Sequence, residues 1–347
     1  MEENLLGKLP GLLLPWYAAN RRTLPWRADR EPYHIWLSEI MLQQTRVEAV
    51  KGYYHRFLAA LPAIRDLAEC DDELLHKLWE GLGYYSRVRN LKKAARVILE
   101  QHGGVFPEEY DEILALPGIG AYTAGAISSI AFGKPRAAVD GNVLRVLSRL
   151  REDREPIDLP ACKTRVQREL EGNYPADAAG EFTQALMELG ATVCVPNGEP
   201  KCDVCPCARI CRGKTSWKEL PVKLPKRQKR QENRTVFLLR CGDRYAIEKR
   251  PNKGLLAGLW QFPNVDGCLE EEQALAWAEK IGLQPRELER RIDRNHIFTH
   301  IRWDMRGYYL RVDRCAERYT WLTLKEIDEQ AALPTAFRQF REEIENV

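Results

Sequence analysis

Apolar residues return every three or four positions through most of the first two hundred residues, and every second position in much of the remaining chain. "VRNLKKAARVIL" puts Val88, Leu91, Ala95 and Ile98 on one stripe, with Arg87, Arg89, Lys92, Lys93 and Arg96 around the rest. That pattern predicts a helix with one buried side and a basic outer face. "NVLRVLSRL" repeats Val143, Leu144, Val146, Leu147 and Leu150 directly after Asp140-Gly141, a pair able to start a helix. Later the period changes. "TVFLLR", a Gly242-Asp243 turn and "RYAIEKR" read as paired strands, and "IRWDMRG" alternates Ile301, Trp303 and Met305 with Arg302, Asp304 and Arg306, as a strand with one buried face does. Helices are expected again near 270–281 and 335–345.

The stretch between the two textures is rich in Lys and Arg and is interrupted by Pro221 and Pro225, which reads as an extended basic linker. The organisation expected is therefore an all-α domain over 1–212, a linker over 213–233 and a smaller α+β domain over 234–347. No apolar run approaches the roughly 18–20 residues that a bilayer requires, and "MEENLLGKLPGLLLPWY" lacks a cationic lead and a small-residue cleavage site. A cytoplasmic monomer without a membrane partner is expected, nucleoid-associated in a bacterium. A net charge of +3 is too mild to establish a nucleic-acid partner, so the placement of basic residues must carry that argument.

Ten cysteines are present, and "CVPNGEPKCDVCPCARIC" concentrates Cys194, Cys202, Cys205 and Cys211 at intervals of seven, two and five residues. Such clustering in a long chain reads as one closed metal centre, either tetrahedral zinc or a cubane iron-sulfur cluster, and spacing alone does not separate them. Cys207 is a fifth thiol, read as packed or spare.

"LPGIGAYTAG" supplies candidate chemistry of another kind. Gly118 and Gly120 allow positive φ and remove Cβ atoms, so backbone N–H groups can face a phosphate, aided by a helix starting near Ala121. The plain alternative is an ordinary helix-turn-helix corner. In "WLSEIMLQQT", Glu39 sits among Trp36, Leu37, Ile40, Met41 and Leu42, where desolvation would raise its pKa toward that of a useful general acid. Asp140 in "AAVDGNV" reads as a helix N-cap that can also face a developing cation.

Taken in order, "LPWR" at 24–27, "WLSEIMLQQT", "GLGYYSRVRNL" at 81–91, "LPGIGAYTAGAI", "VDGNV" and the cysteine loop resemble the helix-hairpin-helix DNA glycosylases with an iron-sulfur cluster, and more narrowly the adenine DNA glycosylases of the MutY type, over nearly the whole chain. The resemblance implies one 4Fe–4S cluster on Cys194, Cys202, Cys205 and Cys211, although the first interval is seven residues where six is usual. It implies excision of adenine opposite 8-oxoguanine or guanine in duplex DNA, with Glu39 as acid, Asp140 stabilising the sugar cation, and Tyr122 and Asn142 positioning it. Arg27 and Gln184 match positions lining the adenine pocket, Gln44 and Tyr84 those that wedge into the stack, and Arg87 with its neighbours would hold phosphates. Where endonuclease III relatives carry a lysine able to form a Schiff base, this chain has Tyr122, implying a monofunctional enzyme. "GLLAGLWQFP" at 254–263 resembles the family's Nudix-like domain, yet "LAWAEKIGL" lacks the expected Arg-Glu pair and most of the acids that nucleotide hydrolysis requires. "HIFTHIRW" resembles its 8-oxoguanine reader, with Phe298 intercalating or stacking and Thr299 and His300 bonding the damaged base or its phosphate; threonine stands where serine is commoner. A lyase for oxidised pyrimidines and a non-catalytic iron-sulfur DNA-binding protein are the competing readings.

Overall fold

A computed structural model describes residues 4–225 and 228–344. These residues form two compact units, 1–69 with 89–225 and 70–88 with 226–347.

The first unit is helical: α1 (Leu5–Asn20), α2 (Pro32–Leu42), α3 (Val47–Ala60), α4 (Ile64–Glu69), then, beyond α5 (Asp72–Leu78) of the other unit, α6 (Ser86–Gln101), α7 (Tyr110–Ala115), α8 (Ala121–Ile130), α9 (Gly141–Arg151), α10 (Pro160–Glu171) and α11 (Ala179–Thr192). The unit boundary falls in the first turn of α6. Leu9 and Leu13 of α1, Val143 and Leu147 of α9, and Phe182, Ala185, Leu186 and Leu189 of α11 share one core, each at a spacing that keeps it on one helical face. Each of the leucine, valine and phenylalanine side chains contributes roughly 1.5–3 kcal/mol through burial. From Thr123 onward every residue of α8 is buried, so this helix is packed on all sides. Gly125 permits that packing: a Cβ there would lie 2.2 Å from the carbonyl oxygen of Ala137, so the strand of chain leading into Asp140 runs directly against α8.

α6 buries Val88, Leu91, Ala95 and Ile98 as its pattern predicts. The expected basic outer face is corrected at two positions, since Arg87 and Lys92 are buried. The guanidinium of Arg87 turns back and donates from Nη2 to the carbonyl oxygens of Leu82 and Gly83, both at 3.1 Å, beneath the rings of Trp79 and Tyr84. It braces the 81–85 loop.

The extended-linker reading is also corrected at both ends. Gly213 and Leu220 are buried against α9, where Arg149 Nε donates to the Leu220 carbonyl oxygen at 3.0 Å. At the other end a strand has already begun at Arg230. Lys226 and Arg227 lie outside the described residues.

The second unit is built on β1 (Arg230–Cys241), β2 (Arg244–Lys249), β3 (Trp260–Gln261), β4 (Asn264–Asp266), β5 (Pro285–Ile297), β6 (Ile301–Val312) and β7 (Thr320–Thr323), with α12 (Glu271–Lys280), α13 (Leu324–Gln330) and α14 (Thr335–Ile344). The sheet runs β3-β2-β1-β6-β5, with β4 on β1 and β7 on β2; β1 and β6 are parallel, Arg230 opposite Ile301 through Arg240 opposite Arg311. Strand alternation sorts the two cores. Val236, Leu238, Trp303, Met305 and Tyr309 join Phe337 and Phe340 of α14, while Phe237, Leu239, Tyr308, Leu310 and Val312 join Ala274 and Ala278 of α12. The single buried face expected for "IRWDMRG" holds through Gly307; beyond it Tyr308 and Leu310 are buried on the other face as well. The 70–88 segment is tied to β3 by Trp260 Nε1 donating to Glu73 at 2.9 Å, and to the chain between α13 and α14 by Leu333 N donating to Glu80 at 3.0 Å.

Candidate active site

The first unit brings Glu39, Tyr122, Asp140 and Asn142 together from α2, α8 and the start of α9. Glu39 is 6 % exposed and accepts a 2.5 Å hydrogen bond from the hydroxyl of Tyr122. Burial pushes its carboxyl up to about 7; the Tyr122 bond and the Arg27 charge oppose that rise, and the charge of Asp140 adds to it. Tyr122 is held well above its ordinary value by burial and by the charges of both carboxylates, so it remains a neutral donor. One phenol thus feels both acids.

Asp140 caps α9, accepting from Val143 N at 2.7 Å and from Asn142 Nδ2 at 2.6 Å. Burial raises its carboxyl above the usual aspartate range, and those two donors and Arg145 work against the rise. Asn142 is itself held by Arg145, whose Nη2 donates to Asn142 Oδ1 and to the Gly190 carbonyl oxygen, both at 2.8 Å, and whose Nε donates to the Cys194 carbonyl oxygen at 2.9 Å. A single arginine on α9 therefore connects the Asp140 cap to the cysteine loop.

Arg27 and Gln184 meet through Tyr17: the guanidinium lies 5.5 Å from the ring centroid, and the hydroxyl donates to Gln184 Oε1 at 3.1 Å. Sequence reasoning missed the anchor of this group. Glu188 is 1 % exposed and accepts from Arg27 Nη2 at 2.8 Å and Arg22 Nε at 2.6 Å, which hold its carboxyl below the usual range despite burial. A lone acid in the apolar run "ALMELGA", one helical turn after Gln184, was the available signal.

In the hairpin, Gly118 has φ +81°, and a Cβ would strike the Asn90 side chain at 2.5 Å. Gly120 departs from expectation: it is the extended N-cap of α8 at φ −105°, and its missing Cβ leaves the surface open instead. Gln44 is exposed and left-handed at φ 59°. A non-glycine residue there is uncommon and marks a backbone constrained by its surroundings.

The second unit carries the other expected contacts. Tyr84 is 45 % exposed and left-handed at φ 49°, and Thr299 Oγ1 bonds its hydroxyl at 3.4 Å. Thr299 and His300 are exposed at the β5–β6 turn. Phe298 is half-buried, edge-on to His296 at 4.5 Å and Trp303 at 4.9 Å, whereas Ile297 beside it is 57 % exposed, an apolar tip that the sequence reading passed over.

The four cysteines are free thiols, each partly buried. Burial and then the charges of Cys205 and Cys194 raise Cys202, and the same causes push Cys211 up to about 11. Cys205 is lowered to about 7 by the Cys207 thiol and by backbone N–H groups of Cys207 and Ala208. Arg149 Nη1 donates to Cys194 Sγ at 3.3 Å. Among the described residues no group of three or more His, Cys, Asp or Glu side chains is arranged to hold a metal ion. The donor set nonetheless fits a thiolate-bound cluster: four mutually interacting sulfurs in one loop, with N–H donors and a guanidinium to offset their charge.

Residues 37–171, which contain Glu39, Tyr122 and Asp140, match the HhH-GPD superfamily of base excision DNA repair proteins, and residues 235–343 match the NUDIX domain. The chain is 35% identical to the human adenine DNA glycosylase, the match covering 95% of this chain and 72% of that one. It is 34% identical to the adenine DNA glycosylase of Buchnera aphidicola subsp. Baizongia pistaciae, over 83% of this chain and 82% of that one. Among solved structures, a thermostable thymine-DNA glycosylase superposes with a TM-score of 0.56 at 30% identity, over 61% of this chain and 97% of the other. The chain belongs to the adenine DNA glycosylase family.

Proposed function

We propose that this protein excises adenine paired with 8-oxoguanine or guanine in duplex DNA by hydrolysing the N-glycosidic bond, without strand cleavage. The observation that carries this reading is the buried Glu39 at about 7, bonded to Tyr122 and raised further by Asp140. Adenine leaves as a poor anion unless its ring is protonated, and an acid at about 7 is still partly protonated at neutral pH while acidic enough to give the proton up. Glu39 delivers that proton to N7 directly or through water. The sugar then gains oxocarbenium character, which the Asp140 carboxylate stabilises or captures before water attacks, the logic of two-carboxylate glycoside hydrolysis.

The target must leave the stack first. Arg27 and Gln184 line its pocket, Gln44 and Tyr84 occupy the gap, and the Gly118–Gly120 turn grips a phosphate. Phe298, Thr299 and His300 read the opposite base. Cys194, Cys202, Cys205 and Cys211 would hold one 4Fe–4S cluster, whose chemistry in the hydrolysis is structural: it fixes the loop's fold. A lyase step needs an amine on the sugar, and Tyr122 offers only a phenol that is already donating to Glu39.

The test is incubation with duplexes carrying adenine opposite 8-oxoguanine, guanine or thymine, then alkali to reveal abasic sites. Excision fastest opposite 8-oxoguanine, with no borohydride-trapped adduct, is expected. Strand cleavage without alkali, or a trapped adduct near Tyr122, would overturn the monofunctional reading.

A further inference from the structure

Four methionines are present in the chain, of which Met1 lies outside the described residues. Met41 and Met305 are buried, at 0 % and 2 % exposure. Met187 is partly exposed. It stands on α11 three residues beyond Gln184 and one before Glu188, packed against the core that α1, α9 and α11 share. Its sulfur lies 4.0 Å from the Tyr122 hydroxyl, the same hydroxyl that donates to Glu39 at 2.5 Å. Glu39, Tyr122 and Met187 all belong to the first unit. Of the three described methionines, the one that solvent reaches is therefore the one that touches the phenol of the site. A phenol has one proton to donate, and a thioether is a weak acceptor, so the carboxylate holds that bond while Met187 is reduced.

We propose that Met187 is an oxidation site within the excision centre: hydrogen peroxide converts its thioether to a sulfoxide, whose oxygen draws the Tyr122 hydroxyl away from Glu39 and slows excision. The inference rests on Glu39 as the acid. A lone pair of the sulfur attacks one peroxide oxygen; the O–O bond breaks and hydroxide leaves. The proton on the new S–O oxygen then passes through solvent to that hydroxide. The thioether loses two electrons, and the peroxide ends as one sulfoxide oxygen and one water. Oxidation turns an apolar side chain into a polar one with a strong acceptor, placed where the Tyr122 proton can reach it. The Tyr122 bond holds the Glu39 carboxyl down, so its loss lets that carboxyl rise. An acid that keeps its proton more tightly gives it up to the adenine ring more slowly.

The test exposes the full chain to graded hydrogen peroxide, removes the excess with catalase and divides each sample. One portion is digested and its methionine peptides are weighed; the other is assayed for single-turnover excision of adenine opposite 8-oxoguanine over neutral and alkaline pH. The expected result is one added oxygen on Met187 before Met41 or Met305, with excision falling in step with the Met187 sulfoxide fraction. At full conversion the residual rate should show an alkaline limb shifted upward. Met187→Leu, whatever its own starting rate, should keep that rate through the exposure that inactivates the wild type, which sets damage to the cysteine loop aside. Full conversion of Met187 at an unchanged rate would overturn the proposal, as would equal losses in Met187→Leu, earlier oxidation of Met41 or Met305, or a falling rate with a stationary limb. Where the leucine variant folds poorly, the wild-type comparison of sulfoxide fraction with rate decides. Glu39→Gln, assayed alongside, separates two failures: normal excision by that variant removes the acid, whereas its inactivity beside a harmless Met187 sulfoxide removes the present inference alone.

Discussion

Replacing Glu39 with glutamine separates what burial does to this residue from what the residue does to substrate. A carboxyl raised from 4.5 to about 7 favours its neutral form by about 3 kcal/mol more than in water. Because the folded-state value lies above the unfolded one, the folded protein binds the extra proton between those two values. Stability is therefore full below pH 4.5 and declines until about pH 7, above which the whole cost of burying the charge is present. Glutamine carries no charge to desolvate and still accepts from Tyr122. The variant should match wild type at pH 4 and exceed it at pH 8 by about 3 kcal/mol, which for a unit of this size is roughly 6–12 °C in melting temperature. Single-turnover excision, meanwhile, should vanish while duplex binding persists. In the wild-type protein the rate should fall about tenfold per pH unit above pH 7, as the acid ionises. Melting curves across that pH range, with excision measured alongside, check both halves. A melting difference that does not grow with pH would show that Glu39 is not held neutral by burial, and an unchanged excision rate would remove it as the acid.

Other perturbations move the same acid in opposite directions. Tyr122→Phe removes a bond that holds Glu39 down, so the alkaline limb of the pH-rate profile should shift upward as the rate falls; a stationary limb argues against that coupling. Glu188→Ala leaves Arg22 and Arg27 without their shared carboxylate, which should cost about 3 kcal/mol in urea unfolding and, by freeing the Arg27 charge, draw the alkaline limb downward. Gly125→Ala drives a Cβ into the Ala137 carbonyl oxygen and should destabilise the fold by about 1–3 kcal/mol or more, with a matching loss of excision; tolerance at full activity would mean that α8 need not touch this segment. Phe298→Ala with His300→Ala should reduce the preference for 8-oxoguanine over guanine opposite adenine, and equal loss on both duplexes would show that the turn is not the reader.

The residues of the candidate site could be picked out of the chain because their types and local spacing are unusual there: an acid inside an apolar helix, two glycines before a helix start, an aspartate at a helix cap, four thiols in one loop. Other features were not legible. Arg87 sits on the polar side of its helical pattern, yet it turns inward because the irregular 81–85 loop leaves carbonyl oxygens that need a donor. Glu188 stands out only as a lone acid in an apolar run; that Arg22 and Arg27, more than 160 residues earlier, close on it is settled by the packing. Gly120 shares its composition with Gly118 but not its backbone conformation, since position in the turn decides which of the two must be left-handed.

By itself the order of residues determined the periods of helix and strand, the turn chemistry and the cysteine intervals, because each depends on neighbours within a few positions. Which carboxylate is desolvated, which phenol it bonds and which second charge it feels were decided only in three dimensions. Glu39 and Tyr122 are 83 positions apart, and a proton affinity is set by whatever packing brings within a few ångströms, wherever it lies in the chain.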